Sequence, residues 1–157
     1  MSFVEKRLEE LGVSLPPNQP PLATYVSCVR SGCLVFTSGA GCFVDGKPLY
    51  TGRLGRELTV EQGYEAAQIT VLNLLSMIKA EIGNLDKIER IVKVLGLVSS
   101  ADDFYDQPQV MNGASDLLVN VFGDKGKHAR SALGTSVLPM NLPVEIEMVV
   151  EIREEER

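Results

Sequence analysis

Between Thr59 and Gly83 the apolar residues Ala67, Val71, Leu74, Leu75, Ile78 and Ile82 recur at intervals of three and four, the spacing of one face of an α-helix. Thr59 followed by Gln62 has the form of a capping box, and Gly83-Asn84 supplies the stop. A second stripe, Val110, Ala114, Leu117 and Val121, predicts a helix that opens at Asp106-Gln107-Pro108 and ends at Gly123. Proline fits that opening because a first-turn N–H has no intrahelical partner to lose. At the amino end Phe3, Val4, Leu8 and Leu11 mark one short amphipathic helix, stopped by Gly12.

Strands are read from alternation and from β-branched runs. Ala23 to Val29 and Cys33 to Ser38 predict a hairpin joined at Arg30-Ser31-Gly32. Gly39 to Gly55 is a glycine-spaced loop in which Asp45-Gly46 can close a smaller hairpin. Ile88 to Val98, Ser131 to Leu138 and Val144 to Ile152 complete the set. In the last of these Ile146, Met148, Val150 and Ile152 share one face, and Glu145, Glu147 and Glu151 share the other. Leu15 to Leu22 carries four prolines and reads as an extended surface arm.

The order after the arm is β-β-α-β-α-β-β, an α+β pattern in which two helices pack on one face of a mixed sheet. Residues 1–22 form the helix and arm, and 23–157 a single domain. The other sheet face is half apolar and needs cover, so an oligomer is expected.

Composition narrows the function classes. The chain has 157 residues, 45% of them hydrophobic and 23% charged, enough for one sizeable core. No apolar run approaches the roughly 18 residues of a membrane span, and the charged, mixed-sign start lacks the zones of a secretory signal; a cytoplasmic protein is expected. A net charge of −6 with scattered Lys and Arg weighs against a nucleic-acid partner. The nearest basic patch, Lys125, Lys127, His128 and Arg130, suits a local anion site. Cys28, Cys33 and Cys42 are an odd set without CxxC spacing and read as small apolar residues. The single histidine, His128, reads as a loop residue; with no patterned partners it offers neither a metal site nor a Ser-His-Asp triad. The Gly39-Ala40-Gly41 run lacks the strand, GxGxxG and helix of a dinucleotide site.

Chemistry concentrates between His128 and Glu147, HARSALGTSVLPMNLPVEIE, where Arg130 stands at a strand entrance and Glu145 and Glu147 crowd one strand face. A guanidinium presents parallel donors that fix both position and orientation of a carboxylate, and a strand carboxylate can orient water. Arg130-Ser131, Leu138-Pro139 and Val144-Glu145-Ile146-Glu147 resemble, in letters and spacing, the signature of the reactive-intermediate deaminases, the YjgF-type family often labelled endoribonuclease L-PSP. Upstream, Tyr25, the stretch Leu34-Val-Phe-Thr-Ser-Gly39, Asp103-Phe104 and Asn112 are similar to that family's amino-terminal hairpin and second helix. The similarity covers about residues 22 to 153, and the amino-terminal helix suggests a longer sub-branch.

The resemblance implies a chorismate-mutase-like fold, a homotrimer with sites between subunits, and a small carboxylate-bearing substrate. It implies Arg130 and Glu145 as catalytic residues, with Tyr25, Ser38, Gly39, Asn112, Ser131 and Ala132 around the substrate. Some relatives carry Cys where this chain has Ala132. The implied activity is hydrolysis of 2-imino acids or their enamine tautomers to 2-keto acids and ammonia, with no cofactor and no metal. A non-catalytic trimer that holds a keto acid would need the same arginine. The ribonuclease reading rests on the family label, against a chain that has no general-base histidine near a basic groove.

Overall fold

The computed structural model describes residues 1–154; residues 155–157, at the end of the expected domain, lie outside the described residues. Helix α1 (Phe3–Glu10) leads to strands β1 (Cys28–Ser31) and β2 (Leu34–Thr37) and to a small hairpin, β3 (Phe43–Val44) and β4 (Lys47–Pro48). Helix α2 (Val60–Ile82), strand β5 (Ile88–Ser99), helix α3 (Gln107–Phe122), strand β6 (Ala129–Thr135) and strand β7 (Val144–Ile152) follow. Short 3₁₀ turns cover Leu85–Lys87, Gly123–Gly126 and Pro139–Asn141.

Local chemistry sets the helix ends. Thr59 caps α2 with the reciprocal bonds of a capping box to Gln62, and Gly83 closes it. Ser2 and Glu5 make a second box at α1. Asp106 precedes α3 without a side-chain cap, while Gln107 Nε2 donates to the Phe104 carbonyl at 2.8 Å. At Asp45-Gly46 both φ angles are positive, 51° and 77°, the twist that suits a two-residue hairpin.

The five strands of the main sheet lie in the order β1-β2-β7-β5-β6. All neighbours are antiparallel except β5 and β6, which are parallel because α3 carries the chain back between them. Helices α2 and α3 pack on each other and on one face, over Ile91, Val94, Val98, Ile146, Met148 and Val150, all buried. Gly113 allows this crossing: a Cβ there would lie 2.1 Å from the Tyr64 carbonyl oxygen of α2. The opposite face is open, with Val29 54%, Phe36 43% and Leu133 51% exposed.

Three expected boundaries move. The strand expected at Ala23 to Val29 is confined to Cys28–Ser31, because its partner β2 has only four residues and ladder pairing ends at Cys28↔Thr37. Tyr25 therefore stands outside any strand, in an exposed bend. The hairpin turn falls at Gly32-Cys33 instead of Arg30-Ser31-Gly32, and the register closes at Ser31↔Leu34. Strand β6 runs from Ala129 to Thr135 instead of Ser131 to Leu138, since β5 pairs with it only that far; Arg130 lies inside the strand.

Helix α1 docks on the common core through Val4 and Leu8, while Phe3 stays 72% exposed. Asp86 accepts from Phe3 N and Val4 N, and Arg7 Nε donates to the Asn120 carbonyl, so α1 covers the far end of α3. The proline arm is tied down by Ser76 Oγ, which donates to the Pro16 carbonyl at 2.6 Å. No helix among the described residues is long and apolar enough to cross a membrane.

Candidate active site

Arg130 sits half-buried on β6, the edge strand beside α3. Its Nη1 donates to Asn112 Oδ1 at 3.0 Å and to Ser115 Oγ at 3.1 Å, both on α3. Asn112 lies in the second turn of that helix, so it does not cap it; its side chain is used on the arginine. Ser115 Oγ lies 2.9 Å from His128 Nε2, and His128 Nδ1 lies 2.6 Å from the Gly126 carbonyl. No carboxylate pairs with Arg130 among the described residues.

Glu145 opens β7 beside the end of the amino-terminal hairpin. Ala40 and Ile146 exchange backbone hydrogen bonds of 2.9 and 3.0 Å, which lays Gly39 against the glutamate. A Cβ on Gly39 would come 2.9 Å from Glu145 Cδ, so glycine permits the contact. Burial, and after it the Glu147 carboxylate on the same strand face, hold the Glu145 carboxyl above its ordinary range. Ser38 Oγ donates to the Val26 carbonyl at 2.6 Å and so anchors the segment that carries Tyr25.

The two groups occupy opposite faces of the sheet. Arg130 pairs with Val94, itself opposite Met148, under the helices. Glu145 pairs with Leu97, which lies beside Leu133, on the open face. Within one chain the expected site residues thus form two halves: Arg130 with Asn112, and Glu145 with Ser38, Gly39 and the Tyr25 segment. Ser131 faces the open side, where its Oγ accepts from Lys93 Nζ at 3.1 Å, and Ala132 packs half-buried against the core.

No thiol competes for a catalytic role in either half. Burial, with a smaller push from Glu81, raises Cys28 to about 11, and burial raises Cys42 as well, so neither supplies a thiolate near neutral pH. Among the described residues no group of three or more His, Cys, Asp or Glu side chains could hold a metal ion.

Residues 5–152 match the family described as "YjgF/chorismate_mutase-like, putative endoribonuclease". The chain belongs to this YjgF-like family. Protein TCP17 of Trypanosoma cruzi is 41% identical over 150 residues, 95% of this chain and 94% of that protein. Among solved structures, the YjgF-like fold of this chain is similar to Atu1372 of Agrobacterium tumefaciens, titled as having unknown function. That likeness has 41% identity and a TM-score of 0.91 over 96% of this chain and 93% of the other. A structure titled "putative endoribonuclease" from Shewanella oneidensis MR-1 has 32% identity and a TM-score of 0.92, over 95% and 99% of the two chains. The YjgF-like spacing singles out Arg130 and Glu145 as candidates in the sequence, whereas the Ser115 contact to Arg130 is not legible there. Its only signal is a position three residues after Asn112, on the same helix face.

Proposed function

We propose that this YjgF-like protein hydrolyses 2-imino acids, or their enamine tautomers, to 2-keto acids and ammonia. The observation that carries the reading is Arg130: a guanidinium held through one nitrogen by Asn112 and Ser115, without a carboxylate partner among the described residues. Such a group is poised for an external carboxylate. Burial and the Glu147 carboxylate make the Glu145 carboxylate a better proton acceptor than an ordinary one, which supports a role in holding the water.

In this mechanism Arg130 binds the substrate carboxylate and Glu145 orients a water toward the electrophilic imine carbon. The water oxygen bonds to that carbon as one water proton passes to Glu145 and the C=N π pair moves to nitrogen; the nitrogen takes a proton from solvent, the hydroxyl gives up its own, and the C–N bond breaks to release ammonia and the keto acid. An iminium carbon already reacts with water, so positioning supplies most of the acceleration needed.

Because the two halves face opposite sides of one sheet, each working site takes Arg130 from one copy and Glu145 from the next. The sites then lie between subunits, and the number of subunits, three, is what membership of the YjgF-like family implies. The half-apolar open face supports this assembly, as do Leu22 at the end of the arm and Tyr25 and Val26 just after it, 94%, 54% and 56% accessible. Tyr25 would reach the neighbouring subunit's cleft. Ribonuclease chemistry is disfavoured, since both ring nitrogens of His128 are engaged inside the fold and the chain carries a net charge of −6.

The test is an imine-trapping competition. An auxiliary enzyme generates 2-aminoacrylate, semicarbazide traps it, and wild type is compared with Arg130→Ala. Wild type should reduce the trapped species and Arg130→Ala should not. Trapping with wild type equal to that without protein, across several imino acids, refutes hydrolysis, and equal reduction by both proteins refutes the Arg130 role; a keto acid that raises the melting temperature in the first case identifies a binding protein.

A further inference from the structure

The cation half contains two side chains that hydrolysis itself does not require. A terminal guanidinium nitrogen carries two hydrogens, and Arg130 Nη1 gives one to Asn112 and one to Ser115. Nη1 is saturated, while Nε and Nη2 have no partner among the described residues. Those two nitrogens form an edge that can meet both oxygens of a carboxylate in parallel.

The hydroxyl of Ser115 accepts from Arg130, so its own proton needs an acceptor, and His128 Nε2 lies 2.9 Å away. The Gly126 carbonyl can only accept, so the proton on the histidine ring resides on Nδ1, 2.6 Å from that oxygen. In that tautomer Nε2 is the acceptor, and donation runs one way, Arg130 to Ser115 to His128 to Gly126. The far end is fixed: Gly126 is buried, and a Cβ on it would lie 2.2 Å from the Leu118 carbonyl oxygen of α3.

We propose that Ser115 and His128 are positioning residues that lock Arg130 by Nη1 and present its Nε/Nη2 edge, selecting planar carboxylates as ligands. The proposal rests on the reading of Arg130 as the carboxylate clamp. Neither residue touches substrate; they act through the arginine.

The experiment measures pyruvate binding by calorimetry and imine turnover for Ser115→Ala, Ser115→Thr, His128→Gln, His128→Leu and Arg130→Ala, each checked for an intact thermal transition. Ser115→Ala and His128→Leu should weaken pyruvate binding and raise KM about tenfold, with kcat within about twofold of wild type. Ser115→Thr, which keeps a hydroxyl, and His128→Gln, whose amide can donate to Gly126 and accept from Ser115, should bind as wild type. If Arg130→Ala loses pyruvate while Ser115→Ala and His128→Leu bind it normally, the positioning role is wrong and the clamp stands. If Arg130→Ala itself binds pyruvate normally, the clamp falls and the positioning role with it.

Discussion

At the residue scale the distinctive group is the Glu145 carboxyl, which its surroundings make harder to ionise than an ordinary carboxyl. Glu145 titrates higher in the folded chain than in the unfolded one because burial and the Glu147 charge disfavour its anion. The folded state therefore holds the proton more tightly. Its stability falls as pH rises from the ordinary carboxyl range through the raised folded value, and the full penalty applies above that. Glu145→Gln should abolish imine turnover yet raise the melting temperature at about pH 7, with the gain shrinking toward zero in acid. Melting curves across that range check the sign; a variant less stable than wild type at neutral pH would contradict it. Arg130 and Glu145 stand out as candidates in the sequence because their spacing along the chain is itself the signal. Ser115 was hidden because its partner His128 is brought to it by the return of the chain from α3 into β6.

Elements were legible where local chemistry decides them. The capping box at Thr59 and the stop at Gly83 bound α2 in sequence and in structure alike, since both are contacts within a few residues. Strand limits depend on what lies alongside, and β1 shortened from the expected Ala23 start because β2 offers four partners only. The joint between α2 and α3 is equally non-local. Gly113 looks unremarkable within a helical stripe, but its missing side chain lets Tyr64 approach. Gly113→Ala should push the helices apart and cost about 1–3 kcal/mol in denaturant unfolding, despite the higher helix propensity of alanine. An unchanged or higher midpoint would show that the crossing has slack.

For the whole molecule the argument turns on the two faces of the sheet. If each site combines Arg130 of one subunit with Glu145 of the next, Arg130→Ala and Glu145→Gln are each inactive alone but complement when mixed. In randomly assembled trimers from equal amounts, about three-quarters are mixed and each holds one intact site in three. Activity should then recover to about one quarter of wild type. No recovery in trimers shown by mass to be mixed would place both residues of each site on the same chain.

The sequence by itself determined the α+β order and the helix ends, and it singled out Arg130 and Glu145 as candidates. Those follow from periodicity, capping and spacing, which act over a few residues. Only the tertiary structure decided that these two groups stand on opposite faces, that Asn112 and Ser115 consume one nitrogen of Arg130, and that α1 docks at the far end of α3. Each depends on strand register or on helix contact between residues distant in the chain. A shift of one residue in register would have turned Arg130 to the other face without changing a letter of the motif.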